Sequence, residues 1–193
     1  MARPIDPEKR AAILQAAKMI IERDGYQSAK IAQIAAEAGV AAGTVYLYFD
    51  SKEAIAAALA SEFFELASAL TRKHAPQLTE PNGVENYIDA VVEFAIANKT
   101  LLEQLKPNPK MAEDEYSKEK RRELQGQMIS MLQDQMDKGI IDSYDPRGLA
   151  SLIFGIMHSV VMGVVVFKDY PREIYRETAA KILRKALQPS ATA

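Results

Sequence analysis

The sequence predicts an all-α fold of about nine helices. Three observations carry that expectation. Apolar residues recur at helical spacing along the 193-residue chain. The periodic runs are punctuated by proline, glycine and capping acids rather than by hairpin turns. The one strand-like run, Thr44-Val45-Tyr46-Leu47-Tyr48-Phe49, is rich in residues that fit a pleated surface, but no second run offers it a partner. Unpaired strand backbone is costly. The run is therefore expected to be a short helix over residues 43–49, whose residues serve something other than helix propensity.

The elements follow in order. Asp6-Pro7-Glu8 starts a helix: an acid to cap, proline in the first turn, then a second acid. Ile13, Ala16, Ala17, Ile20 and Ile21 continue it, and Gly25 ends it. Ser28 is placed to cap a short second helix carrying Ile31, Ile34, Ala35 and Ala38, closed by Gly39. After the 43–49 run, Asp50 and Glu53 form a capping-box pattern. The helix that follows sets Ile55, Leu59, Phe63, Leu66 and Leu70 on one face and ends before Pro76. "PQLTEPNG" connects to a helix marked by Tyr87, Ile88, Val91, Val92 and Ala95, and "KPNPK" (106–110) breaks the chain again. A charged helix runs from about Glu113 to Lys138, closed by Gly139. Asp145-Pro146 opens an apolar helix to about residue 167, with Leu152, Ile156, Val160 and Phe167 expected in the core. A last helix covers about 172–187, with Ile174, Thr178, Ile182 and Leu183 inward.

Composition narrows the function classes. Hydrophobic residues make up 48%, ample for a core, and there is no cysteine. That excludes a disulfide framework and cysteine-ligated metal, and fits a reducing compartment. The start "MARPIDPEKR" lacks the apolar stretch of a secretory signal, so a cytoplasmic location is expected. Residues 148–167 are long enough to span a bilayer and carry no charged residue, but they include His158, two serines and three glycines. A helix apolar all round also suits a buried interface, and no membrane association is expected. With two histidines and neither a glycine-rich phosphate loop nor an HExxH pattern, an enzyme is not expected. Nor is a metal or cofactor. Net charge is −2. Residues 1–52 hold seven Lys and Arg against six Asp and Glu, and the remainder 17 against 20. Bulk charge thus says little about nucleic acid, and any such role rests on placed residues.

Those residues sit around the puzzling run. Two short helices joined by a turn with Gly39 read as helix-turn-helix, with Ile34, Val40 and Val45 holding the pair. Ala42, Gly43, Thr44, Tyr46 and Tyr48 are left at the start and outer face of the second helix. Small residues let the backbone approach a groove, and threonine and tyrosine offer hydroxyls to phosphate or apolar contact to thymine. Lys30 and Lys52 fall near helix starts, where positive charge opposes the helix dipole unless a phosphate is bound there. Ser28, Lys30 and Lys52 are therefore candidate phosphate contacts. The expected domains are 1–52, a helix-turn-helix DNA-binding domain, and 53–193, which holds the remaining helices.

"SAKIAQIAAEAGVAAGTVYLYFDSKEAI" (28–55) resembles the DNA-binding domain of the TetR family of bacterial transcriptional regulators. The resemblance spans roughly residues 8–60; the later helices agree only in number, length and order. It implies a homodimer in which three N-terminal helices bind an operator and 53–193 is a ligand-binding and dimerisation domain, whose small molecule releases the DNA. Within the family, "GVAAGTVYLYFDSKE" is similar to regulators of fatty-acid metabolism, and the same run occurs in drug-responsive members.

For dimerisation, Gly155, Ser159 and Gly163 recur every four residues, a stripe allowing close helix approach, and Ile182 is added from the last helix. For an apolar or amphipathic effector, Phe63, Tyr87, Phe94, Met111, Tyr116, Met128, Phe154, Met157 and His158 are the larger side chains that could line a pocket. The competing reading is a helical protein-interaction module that never binds DNA.

Overall fold

The computed structural model describes residues 6–105 and 115–189, with the side chains of 101, 104, 105 and 115–117 left out. Met111, the "KPNPK" break and the Tyr116 side chain lie outside this description. Every regular element among the described residues is helical, as the sequence predicts. Two compact units result, one drawn from Met1–Phe63 and Thr100–Lys118, the other from Phe64–Lys99 and Glu119–Ala193.

The first unit opens with α1 (Pro7–Asp24). The Asp6 carboxylate accepts from the Glu8 N–H at 3.0 Å, and Gly25, at φ 79°, ends the helix. Helix α2 (Ile31–Glu37) begins later than expected. Ser28 is not its cap; Lys30 holds that position, and its N–H donates to the Gln33 side chain at 2.9 Å. Gly39, at φ 67°, makes the turn that an L side chain would strain. Helix α3 is the one-turn segment Ala42–Tyr46, shorter than the 43–49 expected, and residues 47 and 48 continue as turn. Helix α4 (Lys52–His74) is capped one residue beyond the expected Asp50: the Ser51 Oγ accepts from the Ala54 N–H at 3.1 Å. Ile13, Ala17, Ile20, Ile34, Val45, Phe49, Ile55 and Leu59 form one buried cluster. Val45 and Phe49, four residues apart, are what pin the short α3 to the domain. At about 25 cal/mol per Å², burying each such side chain stabilises by about 1.5–3 kcal/mol.

The second unit contains the C-terminal part of α4, then α5 (Gly83–Ala97), α7 (Glu115–Asp137) from Glu119 onward, α8 (Pro146–Val161) and α9 (Arg172–Ala186); α6 (Lys99–Leu105) lies between α5 and α7 in the chain. At Gly83 a Cβ would collide with the Gln77 carbonyl, so the α5 start admits no larger residue without a shift. Tyr87, Ile88, Val92, Met128, Leu132, Ile153, Met157, Val160 and Leu183 are the buried centre of this unit. Helix α8 is capped by Asp145 and runs on into a π-helical turn, Met162–Phe167.

Several faces differ from the sequence reading. Leu152 and Phe167 are exposed (68% and 63%) rather than core, and Leu66 also faces out. On α9 the buried residues are Ala179, Ala180 and Leu183, whereas Ile174, Thr178 and Ile182 are exposed. The helix is long on charged residues, and the two small alanines let it approach closely enough to bury Leu183, which turns the isoleucines outward. Helix α4 with its following turn (Lys52–Gln77) and the Pro146–Phe167 segment are each long and apolar enough to cross a membrane by length and composition. In each, buried positions alternate with exposed ones and contribute to the cores just described.

Candidate nucleic-acid interface

The geometry of the helix-turn-helix follows from two anchors. The Val40 N–H donates to the Ala35 carbonyl at 2.9 Å, closing the turn, and the buried Val45 fixes which side of α3 faces inward. Ala42 and Gly43 are then exposed at the start of α3, Thr44 is half-buried, and Tyr46 stands out at 53% exposure. These four residues lie on one element whose inward position is taken by Val45.

Tyr48 differs. It is half-buried against the first unit's core, and its hydroxyl accepts from the Asp6 N–H at 3.3 Å. Its oxygen therefore ties the run after α3 to the α1 cap. Ser28 and Lys30 are exposed on the α1–α2 connection. Lys52 departs most from the phosphate-contact expectation. Its ammonium donates to the carbonyl oxygens of Tyr26, Gln27 and Ala29 at 3.0, 3.2 and 3.1 Å, and lies 4.7 Å from the centre of the Tyr26 ring. An ammonium has three protons. All three have acceptors inside the domain. The positive charge at the α4 start is thus balanced by the carbonyls that end the α1–α2 connection, and Lys52 braces this scaffold.

The neighbouring Glu53 carboxyl is held below its usual range, first by its own backbone N–H, with the Ser51 hydroxyl and the Tyr26 hydroxyl (3.4 Å) adding to it. Phe49 is buried, and the Arg10 guanidinium lies 5.2 Å over its ring. Leu47, which the sequence reading does not single out, is 75% exposed directly after Tyr46. Its signal was in the run itself: Val45 and Phe49 had to be inward, which leaves Tyr46 and Leu47 on the other side.

The expected effector residues divide. Tyr87, Met128 and Met157 are buried in the second unit's core, and Phe154 packs partly buried against it. The Tyr87 hydroxyl shares a 3.3 Å hydrogen bond with the Thr71 hydroxyl, and burial pushes its pKa up. Phe94 is half-buried on α5. Phe63 packs instead against the first unit's core. His158 is exposed rather than aimed into the interior, because Met157 and Val160 take the inward positions beside it. An open cleft of about 630 Å³ lies between the end of α4 and the middle of α7, lined by Thr71, Arg72, Gln127, Ser130, Met131 and Asp134 among others. None of the expected effector residues lines it.

Of the dimerisation residues, Gly155 and Ser159 are exposed on α8 and Ile182 on α9 (51%). Gly163 is not on that surface. It is buried, and a Cβ there would run into the Tyr175 ring of the same chain. Among the described residues, no group of three or more His, Asp or Glu side chains is placed to hold a metal ion.

Residues 13–59 match the family of bacterial regulatory proteins, tetR family. The fatty acid metabolism regulator protein of Bacillus subtilis is 44% identical over 54 residues, a stretch covering 28% of this chain and 28% of that one. Among solved structures, the fatty acid degradation regulator FadR from Bacillus halodurans is 25% identical, with a TM-score of 0.68 over 94% of this chain and 96% of that one. FadR from Bacillus subtilis, solved in complex with stearoyl-CoA, is 22% identical, with a TM-score of 0.66 over 92% of this chain and 99% of that one. These relatives are regulators rather than enzymes.

Proposed function

We propose that this chain, whose residues 13–59 match the TetR family of bacterial regulatory proteins and whose fold is that of solved members, is a cytoplasmic homodimeric repressor released from its operator by a small apolar or amphipathic effector. The observation that carries the DNA reading is the outward side of α3, where Ala42, Gly43, Thr44 and Tyr46 stand together on a helix pinned from behind by Val45. A short element with small residues first and a tyrosine after them suits insertion into the major groove. Two copies, one DNA turn apart, call for a pseudo-palindromic site.

The dimer is supported by the exposed side of α8. Ser151, Leu152, Gly155, His158 and Ser159 recur there at helical spacing with no acidic, lysine or arginine side chain among them. An uncharged exposed stripe of this kind suits pairing with its own copy about a two-fold axis. For the effector, long-chain acyl thioesters are the class to test first. Support comes from the fatty-acid regulator matched over the N-terminal domain and from the stearoyl-CoA complex of a protein with the same fold. Such a ligand acts by binding one arrangement of the two DNA-reading domains better than the other.

Footprinting on DNA flanking the protein's own gene, at two salt concentrations, tests the reading. The expected result is a protected near-palindrome, weakened by salt and lost in Tyr46→Ala, with stearoyl-CoA then lifting the protection. A genome-wide binding selection that returned no sequence would overturn the DNA-binding function. Protection untouched by stearoyl-CoA would remove the acyl thioester while leaving the regulator.

A further inference from the structure

From Ala38 to Phe49 the chain contains no charged residue and no asparagine or glutamine. This stretch includes the turn and all of α3. The bidentate contacts by which proteins usually distinguish guanine and adenine come from arginine, lysine, asparagine and glutamine. None of these is present on the reading element. What it presents outward is Tyr46 and, beyond it, Leu47, the more exposed of the two. In the major groove the one base feature read by apolar contact is the C5-methyl of thymine.

Leu47 is held to present its methyl groups. It is the C-cap of α3 in αR geometry (φ −73°, ψ −20°), and its N–H donates to the Thr44 carbonyl at 3.1 Å. The residues two before and two after it, Val45 and Phe49, are buried. A single exposed leucine is ordinary on a protein surface. This one ends the face proposed to enter the groove, fixed on both sides by core residues.

We infer that Leu47 is a specificity-determining residue, reading a thymine methyl in the major groove of each half-site. The assignment rests on the DNA-binding reading above and deepens it: the half-site is recognised by methyl contact rather than by ionic base contacts. A consequence is that base discrimination by this element is insensitive to salt, while overall affinity is not.

The test uses the full-length protein and a duplex that it selects from a random-sequence library. Deoxyuridine, which lacks the C5-methyl, replaces each thymidine in turn. Wild type is expected to bind about fourfold more weakly at one or two thymidines in each half-site, the effect of one methyl lost from an apolar contact. Leu47→Ala is expected to bind the parent duplex more weakly and to be indifferent to deoxyuridine at those same positions. Indifference of wild type at every position, or an unchanged deoxyuridine profile in Leu47→Ala, would overturn the assignment while leaving the protein a DNA binder. Failure to enrich any duplex would instead sink the DNA-binding reading, and this inference with it. Because Leu47 is exposed, a matched melting curve for the variant shows that the loss is not one of folding.

Discussion

Lys52 grips Tyr26 twice: its ammonium lies 3.0 Å from the Tyr26 carbonyl oxygen and 4.7 Å from the centre of the Tyr26 ring. With the Gln27 and Ala29 carbonyls also bound, one side chain at the start of α4 fixes the connection that leads into α2. Hydrogen bonds to a charged group contribute more than neutral ones, and each carbonyl here would be left to water or to nothing. Lys52→Met keeps the aliphatic stem and removes the ammonium. It is expected to lower the unfolding free energy by about 2 kcal/mol, a part-exposed site discounting the sum of three bonds. Urea denaturation measures it. Unchanged stability together with weakened DNA binding would mean that the ammonium leaves the carbonyls for phosphate.

That contact also shows where sequence reading stops. Helix α1 was legible to the residue, because Asp6, Pro7 and Gly25 are local signals. The α2 start was not. Residues 26–29 are held by a lysine 23 to 26 residues away, and local capping logic that favoured Ser28 cannot see a partner at that distance. The α3 segment was legible as a helix, and its face follows from Val45 and Phe49. Helix α8 resisted for a different reason. A segment apolar on nearly every side gives no polar face to orient it, so Leu152, expected in the core, faces out, as does His158, expected among the pocket candidates. Gly163 looked like the third step of a small-residue stripe. Its space is filled by Tyr175, a residue no spacing rule connects to it.

Acid should loosen the second unit through Asp89. Its carboxylate accepts from Arg176 at 2.9 and 3.0 Å through Nε and at 2.9 Å through Nη2, and from Arg172 at 3.1 Å. The Arg176 hydrogen bonds, helped by Arg172, hold its pKa below the ordinary aspartate range. A carboxylate depressed in the folded state contributes stability above its unfolded pKa, about 3.9. That contribution is lost as pH falls through the depressed folded value. Stability should therefore drop below about pH 4, and Asp89→Asn should be less stable at neutral pH with a shallower acid loss. Chemical denaturation at pH 7, 5 and 3 checks it; parallel acid profiles for variant and wild type would remove Asp89 from the account.

The exposed side of α8 makes the sharpest claim about assembly. Leu152 at 68% exposure and Ile182 at 51% are large apolar side chains left uncovered by their own chain. Gly155 and Ser159, exposed on the same helix as Leu152, are too small to hold a partner helix away. In a homodimer each of these residues is used twice, so a charge placed there is buried twice without a partner. Leu152→Asp is expected to raise the dimer dissociation constant by at least about two orders of magnitude, equivalent to ~3 kcal/mol. Ile182→Asp should act in the same direction. Neither should disturb the fold of the single chain, since both side chains already face solvent there. Analytical ultracentrifugation of wild type and both variants decides the matter. A monomeric wild type, or variants that dimerise as tightly as it does, would place the interface elsewhere. Weakened dimerisation should also reduce operator binding without altering which half-site is preferred, because the residues proposed to read DNA lie on α3 and at its C-cap and are untouched by either substitution.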